Sequence, residues 1–143
     1  MKAKKGFTLI ELLAVIVILA IIALITVPVV IKIINNAKKG AAEDSAYGVV
    51  ESAKLFWASN QGNFENNNAE VTFTCSKSGD VKSCTTTSFT DGTLDISGTK
   101  PEAGSVTINN GEVTVTNLQF GEYYCNTTTD GKISCGTSQV TGD

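Results

Sequence analysis

Apolar residues run almost without a break from Phe7 to Ile34, and after that the pattern changes twice. Leu12 to Ile25 is fourteen apolar residues in succession. With Phe7 to Ile10 before it and Thr26 to Ile31 after it, the segment reaches the roughly 20–25 residues a helix needs to cross a hydrocarbon core. Pro28 lies deep in this stretch, where it removes a backbone donor and crowds the Leu24 carbonyl. A kink or a locally melted turn is expected there, with neighbours such as Thr26 serving the freed groups. From Asn35 to about Asn60 the apolar positions thin to spacings of three and four: Ala46, Val49, Val50, Ala53, Phe56 and Trp57. That spacing predicts an amphipathic helix with Lys38, Lys39, Glu43, Asp44, Glu51 and Lys54 on its solvated side. Gly40 and Gly48 each weaken it by about 1 kcal/mol relative to alanine, so packing must hold it, and Gln61-Gly62-Asn63 ends it.

Beyond Val71 the period falls to two, in Val71-Thr72-Phe73-Thr74, Val106-Thr107-Ile108 and Val113-Thr114-Val115, which predicts strands. Asn110-Gly111 is a two-residue hairpin signal that sets Ile108 opposite Val113 and Val106 opposite Val115, both apolar pairs on one face. That face can cover the Trp57 side of the helix, with Trp57 as a core anchor, giving an α+β head of helix on antiparallel sheet. Two further turns place the four cysteines. A Gly79-Asp80 turn with glycine first, as type II′ requires, puts Cys75 opposite Cys84. A Thr129-Asp130-Gly131 loop with glycine last puts Cys125 opposite Cys135. Each bridge closes a short loop and contributes about 2–3 kcal/mol to a small head. A four-thiolate zinc site, the rival reading, lacks close cysteine spacing and any histidine. The Thr/Ser-rich run Thr85 to Thr90 reads as surface and strand.

Composition narrows the function. At 143 residues there is room for one modest domain beyond the apolar segment. The chain has eleven lysines, no arginine and no histidine. Without Lys2, Lys4 and Lys5, eight lysines face 14 carboxylates, a net charge of −6. Such a surface repels phosphates, and without arginine the usual guanine reader is missing, so direct sequence-specific nucleic-acid binding is not expected. With no histidine and no phosphate-cradling glycine loop, the chain is not expected to be an enzyme, nor to need a cofactor or metal. Asp91 and Asp95 suggest calcium, but the calcium-loop pattern is absent and Asp91-Gly92 reads as a turn. Asn126-Thr127-Thr128 matches a glycan acceptor.

One residue breaks the apolar segment. Glu11 places a carboxylate where insertion costs about 2.5–3.5 kcal/mol, so it needs a partner or a function. Cleavage after Gly6 would create an amino group on Phe7, four residues before Glu11 and at the same depth. A secretory signal carries its cleavage site after the apolar stretch, whereas here the polar junction precedes it. A plain signal anchor explains the lysines and the span but gives no reason for Glu11.

Lys5-Gly6-Phe7-Thr8-Leu9-Ile10-Glu11, the short basic leader and the apolar helix carrying Pro28 resemble the type IV prepilins, a class shared with type II secretion pseudopilins and competence pilins. The resemblance covers roughly Lys4 to Ala37 closely. It implies a prepilin peptidase that cuts between Gly6 and Phe7, N-methylation of Phe7, and attraction of Glu11 to the Phe7 amine of a neighbouring subunit during assembly. It also implies unwinding near Pro28 as a filament stretches, a disulfide in the C-terminal region, and an N-terminus inside with the head outside. The implied partners are further copies and other pilins, the peptidase, a membrane assembly platform and a motor ATPase.

The chain therefore divides into a leader (1–6), a transmembrane and polymerisation helix (7–34), an amphipathic helix of the head (35–60) and an exported β-rich head (61–143). The expected fold is α+β, a long N-terminal helix, half of it transmembrane and kinked at Pro28, packed on a disulfide-stapled antiparallel sheet. The expected function is that of a filament subunit, stored as a single-pass precursor in the cytoplasmic membrane and assembled at the cell surface. Adhesion, motility and DNA uptake are its possible roles. The alternatives are a pseudopilin of a secretion or competence system and a signal-anchored surface binding domain.

Overall fold

The computed structural model describes residues 6–64 and 70–141, so Lys2, Lys4 and Lys5 of the leader lie outside the described residues. The chain forms two compact units, residues 1–38 and 39–143. One α-helix, α1 (Leu9–Ser59), contributes to both.

In the first unit every described side chain is exposed, including Leu9, Leu24 and Ile25 at 86%, 79% and 65%. Contiguous exposed apolar surface of this extent marks a segment suited to lipid or to packing on another chain. Its mean hydropathy over eighteen residues is 3.3, and it is long and apolar enough to cross a membrane. The helix runs without interruption through Pro28, so the locally melted turn does not occur. The Thr26 hydroxyl donates to the Ile22 carbonyl at 2.7 Å. It therefore serves its own i−4 carbonyl, and not that of Leu24 as expected.

The second unit is α+β. Ala42, Ala46, Val49, Val50 and Ala53 of α1 are buried, small side chains on one stripe that let a sheet come close. After Ser59 a short 3-10 turn, Gln61–Asn63, ends the helical run. Among the described residues seven strands follow: β1 (Glu70–Ser78), β2 (Val81–Thr85), β3 (Ala103–Asn109), β4 (Glu112–Thr116), β5 (Leu118–Phe120), β6 (Tyr123–Thr127) and β7 (Ile133–Gly136). They form two antiparallel sheets where the sequence suggested one, a four-stranded sheet in the order β2-β1-β3-β4 and a three-stranded sheet in the order β5-β6-β7. Phe73, Val106, Ile108, Val115 and Leu118 are fully or almost fully buried. Leu94 and Ile96, in the long connection after β2, are buried as well.

The hairpin registers follow the turn chemistry. Asn110 and Gly111 both have positive φ, 48° and 83°, as a type I′ turn requires, and Ile108 pairs with Val113 and Val106 with Val115. Gly79 has φ of 61° and Cys75 pairs with Cys84. Gly131 has φ of 79°, and its N–H donates to the Thr128 carbonyl at 2.9 Å within a loop closed by Thr128 N–H to Lys132 O. Disulfides join Cys75 to Cys84 and Cys125 to Cys135. All four thiols are consumed, which removes the zinc reading. The run from Thr85 lies at the surface but is strand only at its first residue: β2 ends at Thr85, and Thr86 to Gly92 form a loop closed by Thr86 N–H donating to the Gly92 carbonyl at 2.6 Å. A Cβ at Gly92 would stand 2.2 Å from the Thr86 carbonyl oxygen, so close backbone approach requires this glycine.

The passage from one sheet to the other is made by a single residue. Asn117, between β4 and β5, takes a left-handed conformation with φ of 49°. Its N–H donates to Asn126 Oδ1 at 2.8 Å, and Val115 N–H donates to Thr127 Oγ1 at 2.9 Å. Side chains of β6 thus accept the edge donors of β4 that a further strand would otherwise take. Opposite this corner a Cβ at Gly104 would stand 2.4 Å from the Asn117 carbonyl oxygen, so only glycine lets β3 run this near. The Asn117 amide also binds Val140 through both its backbone groups, at 2.9 Å each.

Trp57 sits at the rim, half-buried, and not at the centre of the core. It packs on Phe64 with ring centroids 4.3 Å apart and lies against Gly111 of the hairpin turn. Phe56 reaches deeper, edge-on to buried Phe73 at 5.0 Å.

Candidate functional site

The N-terminal segment is built around a helix start. Gly6, Phe7 and Thr8 precede the helix, and α1 begins at Leu9. Leu12 N–H donates to the Thr8 carbonyl at 3.2 Å, which makes Thr8 the N-cap. Two further bonds run between Thr8 and Glu11 in opposite directions. Glu11 N–H donates to Thr8 Oγ1 at 3.3 Å, and Thr8 N–H donates to Glu11 Oε2 at 3.2 Å. This is a capping box, in which the N-cap hydroxyl and the carboxylate three residues on each satisfy one orphan donor. The macrodipole adds a favourable term for a carboxylate in the first turn.

The arrangement gives Glu11 a place in its own chain as well as any role toward a neighbour. Sequence reasoning concentrated on Phe7 and Glu11 and missed Thr8, although Thr8-Leu9-Ile10-Glu11 is the sequence signature of a capping box. Phe7 is 83% exposed and Glu11 is exposed. The Gly6–Phe7 bond stands outside the helix, two residues before its first turn. Pro28, well inside α1, is not brought near these residues. With Ala20, Ala23, Leu24 and Val27 it borders a shallow apolar groove.

Other candidate residues are engaged otherwise. The Asn126 amide donates to Asn117 Oδ1 at 3.3 Å and its carbonyl oxygen accepts from Asn117, while Thr127 holds Val115. The glycan-acceptor triplet is thus part of the junction between the sheets. Asp91 lies in the closed loop, its carbonyl accepting from Thr93 N–H at 2.8 Å.

The head's surface charges are paired where lysines stand near carboxylates. Lys82 Nζ lies 2.8 Å and Lys77 Nζ 3.6 Å from Glu102 Oε1. The hydrogen bond from Lys82, with the charge of Lys77 beside it, holds the Glu102 carboxyl below its ordinary value, against the opposing effect of desolvation.

The site therefore consists of an exposed non-helical junction, a capped helix start whose cap is a carboxylate, and an uncovered apolar helix. No curated protein and no solved structure gives a significant match to this chain. Residues 1–27 match the family model for the prokaryotic N-terminal methylation motif, and the chain accordingly carries the prepilin signature of type IV pilins and pseudopilins.

Proposed function

We propose that this chain is a pilin, the structural subunit of an extracellular type IV pilus. In this reading a prepilin peptidase cuts between Gly6 and Phe7, the Phe7 amine is methylated, and the mature chain waits in the cytoplasmic membrane until it assembles. Its work is polymerisation and not catalysis. The observation that carries the reading is the helix that begins within the motif and runs on beyond it, apolar enough to span and with no residue of its eighteen-residue apolar window buried. A helix left this bare is stable in lipid, and equally against copies of itself once lipid is removed. The groove beside Ala20, Ala23 and Pro28 supplies the small-residue surface on which helices approach closely.

Glu11 supplies the direction of assembly. In lipid its carboxylate is costly, and the Thr8 N–H satisfies only part of it. The charged amine of a neighbour's Phe7 offers an ionic partner that the hydrocarbon core does not, so moving from membrane to filament relieves an unfavourable charge.

The test is mass spectrometry, without reductant, on filaments sheared from the native cell. A chain beginning at methylated Phe7, with its cysteines oxidised, supports the reading. Material that begins at Met1 and stays with the cell overturns it in favour of a signal-anchored surface domain. A processed chain with no surface fibres and a secretion defect on deletion assigns it to the pseudopilins.

A further inference from the structure

Most charges along α1 are accounted for within the chain. Glu11 caps the helix start with Thr8, Lys39 pairs with Glu43 at 4.0 Å, Lys54 pairs with Glu51 at 3.2 Å, and Lys38 is engaged. Two of the helix's eight charged residues remain, and they have opposite signs. Lys32 and Asp44 are exposed and have no partner among the described residues.

Lys32 is also in an unfavourable place. It is flanked by Val30 and Ile31 on one side and by Ile33 and Ile34 on the other, all exposed. In a membrane its long stem lets the ammonium reach the head groups and water. In a bundle of such helices the head groups are gone, and an ammonium among apolar side chains needs a counter-charge. We infer that Lys32 of one copy pairs with Asp44 of a neighbouring copy in the filament, an inference that rests on the pilin reading above.

One observation singles out Asp44 among the carboxylates of the helix, and two more fit the pairing. Glu11, Glu43 and Glu51 already have partners, whereas Asp44 has none among the described residues. Asp44 lies past the apolar stretch, so it needs no desolvation in the monomer. The two residues are also different positions on identical chains. The contact is therefore heterologous, each copy giving Lys32 to one neighbour and receiving another neighbour's at Asp44, which is the interface type that generates open helical filaments. In parallel helices it sets a stagger of twelve residues between the two copies it joins, so the copy that receives Lys32 is a different neighbour from the one whose Phe7 amine meets Glu11 at a stagger of four.

A charge-swap series on the full chain in the native cell, read as sheared filament against membrane-held monomer, tests the pairing. Lys32→Asp and Asp44→Lys should each lower filament yield about thirtyfold or more, the size expected when one partner of a desolvated pair is lost. The double variant should recover most of the wild-type yield. A double variant no better than its worse parent, or a single variant that assembles normally, overturns the pairing. A Lys32→Asp defect confined to membrane accumulation of monomer assigns the lysine to lipid head groups and overturns it too.

Because Lys32→Asp places a carboxylate at the end of the span, a second measurement avoids that change. Lys32→Cys with Asp44→Cys, co-assembled with wild-type chain and oxidised, should give a ladder of cross-linked multimers that neither single variant gives. Filaments without that ladder overturn the contact. If wild-type cells yield no sheared filament at all, the pilin reading fails first; filaments present but not cross-linked sink the pairing alone.

Discussion

Glu11 has two duties that three substitutions can separate. Its carboxylate accepts the Thr8 N–H at 3.2 Å while its own N–H is satisfied by the Thr8 hydroxyl at 3.3 Å. Glu11→Leu removes the cap and the charge together. Loss of the charge favours the membrane-held state by about 2.5–3.5 kcal/mol, and loss of half a capping box costs about 1 kcal/mol of helix start. The cap is lost in membrane and filament alike and cancels, so the charge term of about 3 kcal/mol retains the monomer in lipid about a hundredfold more strongly. Glu11→Gln keeps the capping geometry, since glutamine serves at this position, but lacks the charge. Thr8→Val keeps the charge and loses the hydroxyl that caps Glu11 N–H, at a cost of about 1 kcal/mol. The assay is filament in the sheared fraction against mature chain in the membrane, with processing followed by the mass change at Gly6–Phe7. Glu11→Leu and Glu11→Gln should both be processed and both fail to assemble, with Thr8→Val milder than either. Normal filaments from Glu11→Gln would show that the cap, and not the charge, is what matters, and would refute the charge-transfer reasoning.

Other consequences are independent of that one. Gly6→Ala should leave most of the chain unprocessed, because the residue before the junction gains a side chain; a wild-type amount of mature protein sinks the cleavage assignment. Gly104→Ala should destabilise the head by at least about 2 kcal/mol, since its φ is 106° and the added Cβ would stand 2.4 Å from the Asn117 oxygen. Gly121→Ala, also at positive φ but with open space around it, should cost about 1 kcal/mol, and equal urea midpoints for the two variants would contradict the corner packing. For Glu102, whose folded value is depressed by Lys82 and Lys77, stabilisation is present above the ordinary carboxylate range and is lost as pH falls through the depressed folded value. Glu102→Gln should therefore differ slightly from wild type in urea midpoint at neutral pH, and the difference should vanish in strong acid and shrink in high salt. A difference that persists in acid would count against the ion pair.

The strongest sequence signals here were local ones. The span followed from an unbroken apolar run, and the second part of α1 from a period near 3.6 that picked out Ala46, Val49, Val50 and Ala53, all buried. The hairpin partners followed from turn residues: once Asn110-Gly111 sets the register, Ile108 must face Val113, and the same count brings Cys75 to Cys84. In each of these cases the residues that decide lie within about ten positions of one another, so backbone sterics and side-chain alternation suffice. Thr8 belongs with them, since its capping signature, Thr8-Leu9-Ile10-Glu11, is also local to the sequence.

What only the tertiary structure decided depends on residues far apart in sequence. Pairing of β1 with β3, Val71 against Ile108 and Phe73 against Val106, inserts β3 between β1 and β4, and no local period carries that order. The division into two sheets turns on Asn117 at positive φ and on Gly104, whose missing side chain matters only because another segment's backbone passes there. The Tyr47 hydroxyl accepts the Ile133 N–H at 3.2 Å, across 86 positions. The helix and strand periods state which face of each element must be covered; which segment covers it is settled by long-range packing, whose loop-closure cost and steric fit leave no mark on neighbouring residues.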